Sequence, residues 1–314
     1  MSLFDDMGVF VQVVDAGSFS GAARRLGVAK SVVSRRVSAL EARLEGSLFN
    51  RTTRRLSLTE VGQVYYDRAR RILDDVAEAE DAARSLQGEL VGRLRLAAPM
   101  SFAHQHLSPA IAAFLVEHPR LEIELDLNDR QVDLVNEGFD LAVRIGTLQD
   151  SSMIARLLAP CHRVVCASPA YLATHGEPRT LEDLEAPHHR CLVYSNRPVV
   201  EQWRFRVGDS WQVARVATQR LMANNGQALR DAAIEGLGLA VLPTFIASEP
   251  MVRGSLKAVL RGYQLAEPPI YAVWPPGRQL STKARALVEA LSRRFGPSPY
   301  WDRQIEQAAD ANGA

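Results

Sequence analysis

At 314 residues the chain exceeds one ordinary domain, so two or three folded units are expected. Hydrophobic residues at 47% and charged residues at 23% describe a soluble globular protein, and no apolar run approaches membrane-spanning length. The net charge is only +1, so a nucleic-acid partner would have to be met by a local concentration of positive charge. The opening MSLFDDMGVF carries acids where a secretion signal needs a basic start, so a cytoplasmic protein with no membrane partner is expected. Cys161, Cys166 and Cys191 are odd in number and lack zinc-type spacing, so they read as small reduced core residues.

Leu3, Met7, Phe10, Val11 and Val14 repeat at helical spacing and predict a first helix, ended near Gly17. Ser18 or Ser20 can cap a second helix with Phe19, Ala22, Ala23 and Leu26 on one face, stopped by Gly27. A third helix is predicted from Lys30 to about Leu44, with Val33, Val37, Leu40 and Leu44 as its core stripe. Lys30, Ser31, Ser34, Arg35 and Arg36 lie off that stripe near the N-terminal end, where a helix-turn-helix reaches base edges. Arg bonds guanine bidentately and Ser bonds bases or phosphates, but which Arg does which job is not legible here. Leu48-Phe49 and Leu56-Ser57-Leu58 flank a polar tip and predict a β-hairpin wing, with Arg51, Arg54 and Arg55 beside the DNA backbone or minor groove. Between Arg24 and Arg55 nine basic residues meet only Glu41 and Glu45, so the charge is concentrated in this segment as phosphate binding requires.

These residues resemble the winged helix-turn-helix of LysR-type transcriptional regulators. The resemblance rests on Ser18-Phe19-Ser20, Ala22-Ala23, Leu26, Val33-Ser34-Arg35, Leu40-Glu41, Leu48-Phe49, Arg51, Arg54, Leu58-Thr59 and Gly62. Ala29-Lys30 stands where the family often has Ser-Gln, and Glu45 where it usually has Gly. The third helix is therefore expected to run one residue further, until Gly46 stops it.

Thr59 can cap a long helix to about Leu86. Val61, Tyr65, Ala69, Ile72, Val76, Ala79, Ala83 and Leu86 alternate by four and three, a coiled-coil spacing. Val61, Tyr65, Ile72, Val76 and Leu86 are the expected dimer contacts, a role the resemblance also implies. A dimer sets two recognition helices on successive major grooves, which predicts an interrupted palindromic operator in double-stranded DNA. Gly88 and Gly92 mark a hinge.

Beyond the hinge, strands and helices alternate. Strands are predicted at 94–97, 123–127, 141–145, 164–167, 239–242 and 270–273, and helices at 107–118 and 132–136. This alternation argues an α/β fold with parallel sheets. The LysR resemblance, carried here by DLAVRIG (140–146), ASPAYL (167–172) and GLGLAVLP (236–243), implies a two-subdomain α/β fold similar to type 2 periplasmic binding proteins. The expected division is a winged helix-turn-helix at 1–59, a linker helix at 60–88 and an effector-binding domain at 89–296. Within the last, subdomain I takes 92–163 and 268–296, subdomain II takes 164–267, and 297–314 is a flexible tail.

Ligands in α/β sheets sit beyond the carboxyl ends of strands. Ser101, Phe102, Asn128, Arg144, Gly146, Asn224, Asn225, Thr244 and Phe245 fall at such places, and Phe102, Tyr194, Trp203 and Phe245 could flank a ring. Helix N-termini plus one Arg suit an anion, and the aromatics suit a ring; capping, core packing or a structural ion pair for Arg144 are the alternatives. No metal, cofactor or catalytic role is expected: His104/His106 and His188/His189 are pairs without a converging set, and no phosphate loop or nucleophile elbow is present. The resemblance implies a regulator of transcription, dimeric or tetrameric, that answers to a small-molecule effector and contacts RNA polymerase if it activates.

Overall fold

The computed structural model describes residues 3–51, 56–85, 89–130, 132–135, 137–146, 153–196, 203–216, 218–276 and 280–312, and divides into two units, Met1–Gly88 and Glu89–Ala314.

In the first unit, α1 (Leu3–Asp15), α2 (Phe19–Leu26) and α3 (Lys30–Arg43) enclose a core of Phe10, Val13, Ala22, Val33, Val37 and Leu40. Ser18, not Ser20, caps α2: its hydroxyl accepts from the Gly21 N–H at 3.0 Å. Gly27 ends that helix at φ 66°, a left-handed conformation that glycine adopts without penalty. Two expectations for α3 need correction. Leu44 is 37% exposed and caps the helix rather than extending its core stripe. Glu45 does not prolong the helix; it takes the left-handed turn itself at φ 49°, and the Gly46 N–H then bonds back to the Glu41 carbonyl. A non-glycine residue there costs about 1–2 kcal/mol, offset locally by that hydrogen bond.

Strands β1 (Phe49–Arg51) and β2 (Leu56–Leu58) pair antiparallel as the wing, with Phe49 opposite Leu58. Glu41 is structural: its carboxylate accepts from the Leu48 N–H at 2.9 Å and fixes the entry to the hairpin. Thr59 caps α4 (Glu60–Ser85), accepting from the Gly62 N–H at 2.9 Å and donating to the Ser47 carbonyl at 2.7 Å.

The second unit holds two five-stranded sheets. The first has the order β4 (Leu121–Leu127), β3 (Gly92–Ala98), β5 (Leu141–Ile145), β15 (Ile270–Trp274), β6 (Ile154–Ala159). The second has the order β11 (Gln219–Ala223), β8 (Cys191–Tyr194), β12 (Leu239–Pro243), β7 (Arg163–Ala167), β13 (Lys257–Val259). A small antiparallel sheet joins β10 (Ser210–Val213), β9 (Arg204–Val207) and β14 (Gln264–Leu265). The sheets are mixed, not parallel as expected. β3, β4 and β5 are parallel, as are β8, β11 and β12, but β15 and β7 run antiparallel to their neighbours. Those two strands begin just after the chain crosses between sheets, and a buried strand carries the same apolar run in either direction. The crossings are residues 160–162, between β6 and β7, and 266–269, between β14 and β15.

After β3, a short helical turn (Met100–Phe102) and a π-helical turn (Ala103–Leu107) lead into α5 (Ser108–Glu117). Residues 132–135 form turns and irregular backbone, not the predicted helix, while Asn136 lies outside the described residues. The later helices are α6 (Pro169–His175), α7 (Gly226–Ile234), α8 (Thr244–Val252) and α9 (Thr282–Phe295). The expected flexible tail is instead a helix, α10 (Tyr300–Asn312), whose Trp301 is fully buried. Its polar, alanine-rich composition hid one aromatic pair, Tyr300-Trp301, which supplies the anchoring.

Candidate DNA-contact surface and effector cleft

Burial of Val33 and Val37 turns Lys30, Ser31, Ser34 and Arg35 outward together; all four are exposed, and Arg36 is half-buried. They form one polar face over the first turns of α3, where recognition helices meet base edges. Arg24 and Arg25 at the end of α2 are exposed as well. In the wing, Arg51 pairs with Leu56 across the hairpin; Arg54 and Arg55 lie outside the described residues.

Along α4 the expected seam divides. Tyr65 packs edge-on against Phe10 at 5.6 Å and Ala69 is buried in the same core. Val61, Ile72 and Val76 stand 54%, 41% and 41% exposed. Val64, which heptad spacing passed over, is exposed beside them, and Leu86 lies outside the described residues.

In the second unit, Met100 and Ser101, which follow β3 of the first sheet, meet Asn225 and Gly226, which follow β11 of the second. Ser101 is buried, and its hydroxyl has no hydrogen-bond partner among the described residues. It lies beside the N-terminus of α7: a Cβ built on Gly226 would stand 3.8 Å from the Ser101 Oγ. Asn225 caps α7, accepting from the Gln227 and Ala228 N–H groups at 2.9 and 3.1 Å, and its amide donates to the Met100 sulfur at 3.6 Å. Asn224 is exposed next to it.

Asp129, which sequence reasoning missed, reaches across this junction. It follows β4 in the first sheet, accepts from the Met100 N–H at 2.9 Å, and bonds the hydroxyl of Tyr194 at the end of β8 in the second. Burial pushes its carboxyl above the ordinary carboxylate value, against the lowering effect of those two donors. The adjacent Asn128 makes a local turn, accepting from the Arg130 N–H at 3.2 Å and donating to Asp126.

Other expected cleft residues have structural partners. Arg144 donates to the Val132 carbonyl at 2.7 Å, and Gly146 donates to the Pro269 carbonyl at 3.1 Å. Thr244 holds the His162 carbonyl through its N–H at 2.9 Å and its hydroxyl at 3.3 Å. The Phe102 and Phe245 rings meet at 5.2 Å inside the main core, and Trp203 is fully buried in a separate core with Phe205. The side chains of these three aromatics are packed among core residues, which is the core-packing alternative. A single sequence cannot separate a buried aromatic from one that flanks a ligand.

All three cysteines are free and buried, and burial drives the Cys166 and Cys191 thiols up to about 12, far from thiolate reactivity. Among the described residues no group of three or more His, Cys, Asp or Glu is placed to hold a metal ion.

A basic helical surface joined to a two-lobed α/β unit defines a DNA-binding regulator, and comparison with known proteins agrees. Residues 4–63 match the bacterial regulatory helix-turn-helix protein of the lysR family, and residues 87–296 match the LysR substrate binding domain. The HTH-type transcriptional regulator PtxR of Pseudomonas aeruginosa is 37% identical over 300 residues, covering 95% of this chain and 94% of its own. The full-length structure of the Vibrio cholerae virulence activator AphB is 28% identical with TM-score 0.58, over 93% of this chain and 98% of that one. CrgA, a LysR-type transcriptional regulator from Neisseria meningitidis, is 32% identical with TM-score 0.56, over 97% and 98%. The chain belongs to the LysR-type transcriptional regulators: a DNA-binding protein with a two-subdomain effector-binding domain.

Proposed function

We propose that this regulator pairs through α4, binds interrupted palindromic operators in double-stranded DNA, and assembles further to a tetramer in the cytoplasm. A small anionic or aromatic molecule entering between the lobes at Ser101 shifts that assembly; contact with RNA polymerase follows if the protein activates. The winged helix-turn-helix spans 1–59, the pairing helix 60–88 and the effector-binding domain the remainder, α10 included. Exposure of Val61, Val64, Ile72 and Val76 on one helix supports the pairing, since apolar side chains in series gain by leaving water.

The observation that carries the effector reading is the Ser101 hydroxyl. A buried hydroxyl without a partner costs about 1–3 kcal/mol, and an acceptor on a bound molecule would recover it. The nearby N-terminus of α7 adds partial positive charge suited to an anion. The experiment is thermal unfolding of the purified protein against carboxylic acids, aromatic acids, quinones and amino acids. A ligand at ~100 times its dissociation constant adds about 2.7 kcal/mol to the folded state. Ser101→Ala should abolish the shift of the responding compound while leaving the ligand-free unfolding temperature unchanged or raised. A shift that survives Ser101→Ala would move the site elsewhere.

On the DNA side, Arg35→Ala should cost about 1–3 kcal/mol and relax preference at one base pair if Arg35 reads a base edge. Binding titrations on operator variants check this; an equal loss on every sequence would mean a phosphate contact.

A further inference from the structure

Three consecutive residues at the start of α10 each make a different structural connection. Trp301 packs within one aromatic cluster against Phe102 and Phe295 of the first lobe and Phe245 of the second, at 5.9, 5.8 and 6.3 Å between ring centroids. Tyr300 meets His106 Nδ1 at 2.5 Å, and His106 Nε2 meets the Phe245 carbonyl at 2.9 Å. A carbonyl only accepts, so Nε2 carries the proton and Nδ1 accepts from the Tyr300 hydroxyl. Burial lowers the His106 pKa and keeps the ring neutral, as this chain of bonds requires.

Asp302 reaches the other connection. Its carboxylate is 2.8 Å from His162 Nδ1, and His162 Nε2 faces Glu267 at 3.7 Å. His162 lies in the first crossing between the sheets and Glu267 in the second. Thr244 at the start of α8 also bonds the His162 carbonyl. The crossings contain Pro160, Pro268 and Pro269, each of which fixes one φ torsion of the hinge.

We propose that α10 is a strap across the hinge, holding the two lobes at a fixed angle through Trp301 and both crossing segments through Asp302. Opening of the lobes then requires the strap to yield or to shift with them. Because Phe102 follows Ser101 directly, a molecule that moves the Ser101 turn also moves the surface on which Trp301 rests. The strap itself does not depend on the effector reading, since it concerns the ligand-free chain.

The test reads lobe separation in the full-length protein without ligand. Val116→Cys in α5 and Met222→Cys in β11 place one exposed thiol on each lobe, the parent residues being 83% and 54% exposed. The buried native cysteines serve as the unlabelled control. Spin labels at the two sites, diluted with unlabelled chain to suppress distances between protomers, give a distance distribution by pulsed dipolar spectroscopy. Asp302→Asn and Trp301→Ala should each broaden it toward longer distances. Asp302→Asn should also speed amide exchange at Cys161, His162, Ala266 and Glu267 by about tenfold. Folded variants that keep the parent distribution and exchange rates would overturn the strap. If Trp301→Ala fails to fold, Asp302→Asn decides, because it preserves the shape of the helix.

Discussion

Trp301→Ala is expected to destabilise the second unit by about 3–5 kcal/mol, the range for truncating a fully buried large aromatic. The indole is 0% exposed, and it packs against Phe102, His106, Phe245, Phe295 and Tyr300. Removing it leaves a cavity bordered by side chains of both lobes. Its indole N–H has no partner among the described residues, so truncation forfeits packing without forfeiting a hydrogen bond. For a unit of this size the unfolding temperature should fall by roughly 10 °C. Differential scanning calorimetry checks it; a loss under about 1 kcal/mol would mean that α10 is only laid on the surface.

Gly62→Ala should destabilise the first unit. A Cβ at position 62 would stand 2.0 Å from the Leu48 carbonyl oxygen and 2.9 Å from its carbon. Both are backbone atoms, and that same oxygen accepts the Thr59 N–H at 3.0 Å, so neither side can move without losing the junction of wing and α4. Overpacking of this kind costs about 1–3 kcal/mol or more, and would displace the wing relative to α3. Gly8→Ala is the matched control: nothing lies within 4 Å of its Cβ, so helix propensity should make it neutral or stabilising by about 0.5–1 kcal/mol. Urea unfolding should show a lower midpoint for Gly62→Ala at unchanged slope, with operator affinity falling in parallel. Equal midpoints for the two variants would contradict the close approach.

The DNA-binding unit was legible because its signals are local. Val33, Val37 and Leu40 set the buried face of α3 by helical period alone, which leaves Lys30, Ser31, Ser34 and Arg35 outward whatever surrounds them. The cleft was less legible. Ser101 can be found because it follows a predicted strand, but Asp129 becomes notable only when Tyr194, 65 positions away, is brought to its carboxylate. Trp203 and Phe245 have the composition of ligand-stacking aromatics, and only packing shows them to be core.

By itself the sequence determined the family, the helix-turn-helix with its wing, the long α4 and most strands that carry the lobes. The family rests on the resemblance of its motifs; the elements follow from residue periods of two or 3.6, from caps, or from glycines at turns, all within a few residues of one another. Tertiary structure alone decided the direction of β7 and β15, the left-handed Glu45, the inward turn of Tyr65 and the docking of α10. Apart from Glu45, whose turn is closed locally by the Gly46 to Glu41 bond, those outcomes depend on contacts between distant segments, such as Trp301 with Phe102 and Asp302 with His162, which local pattern does not encode.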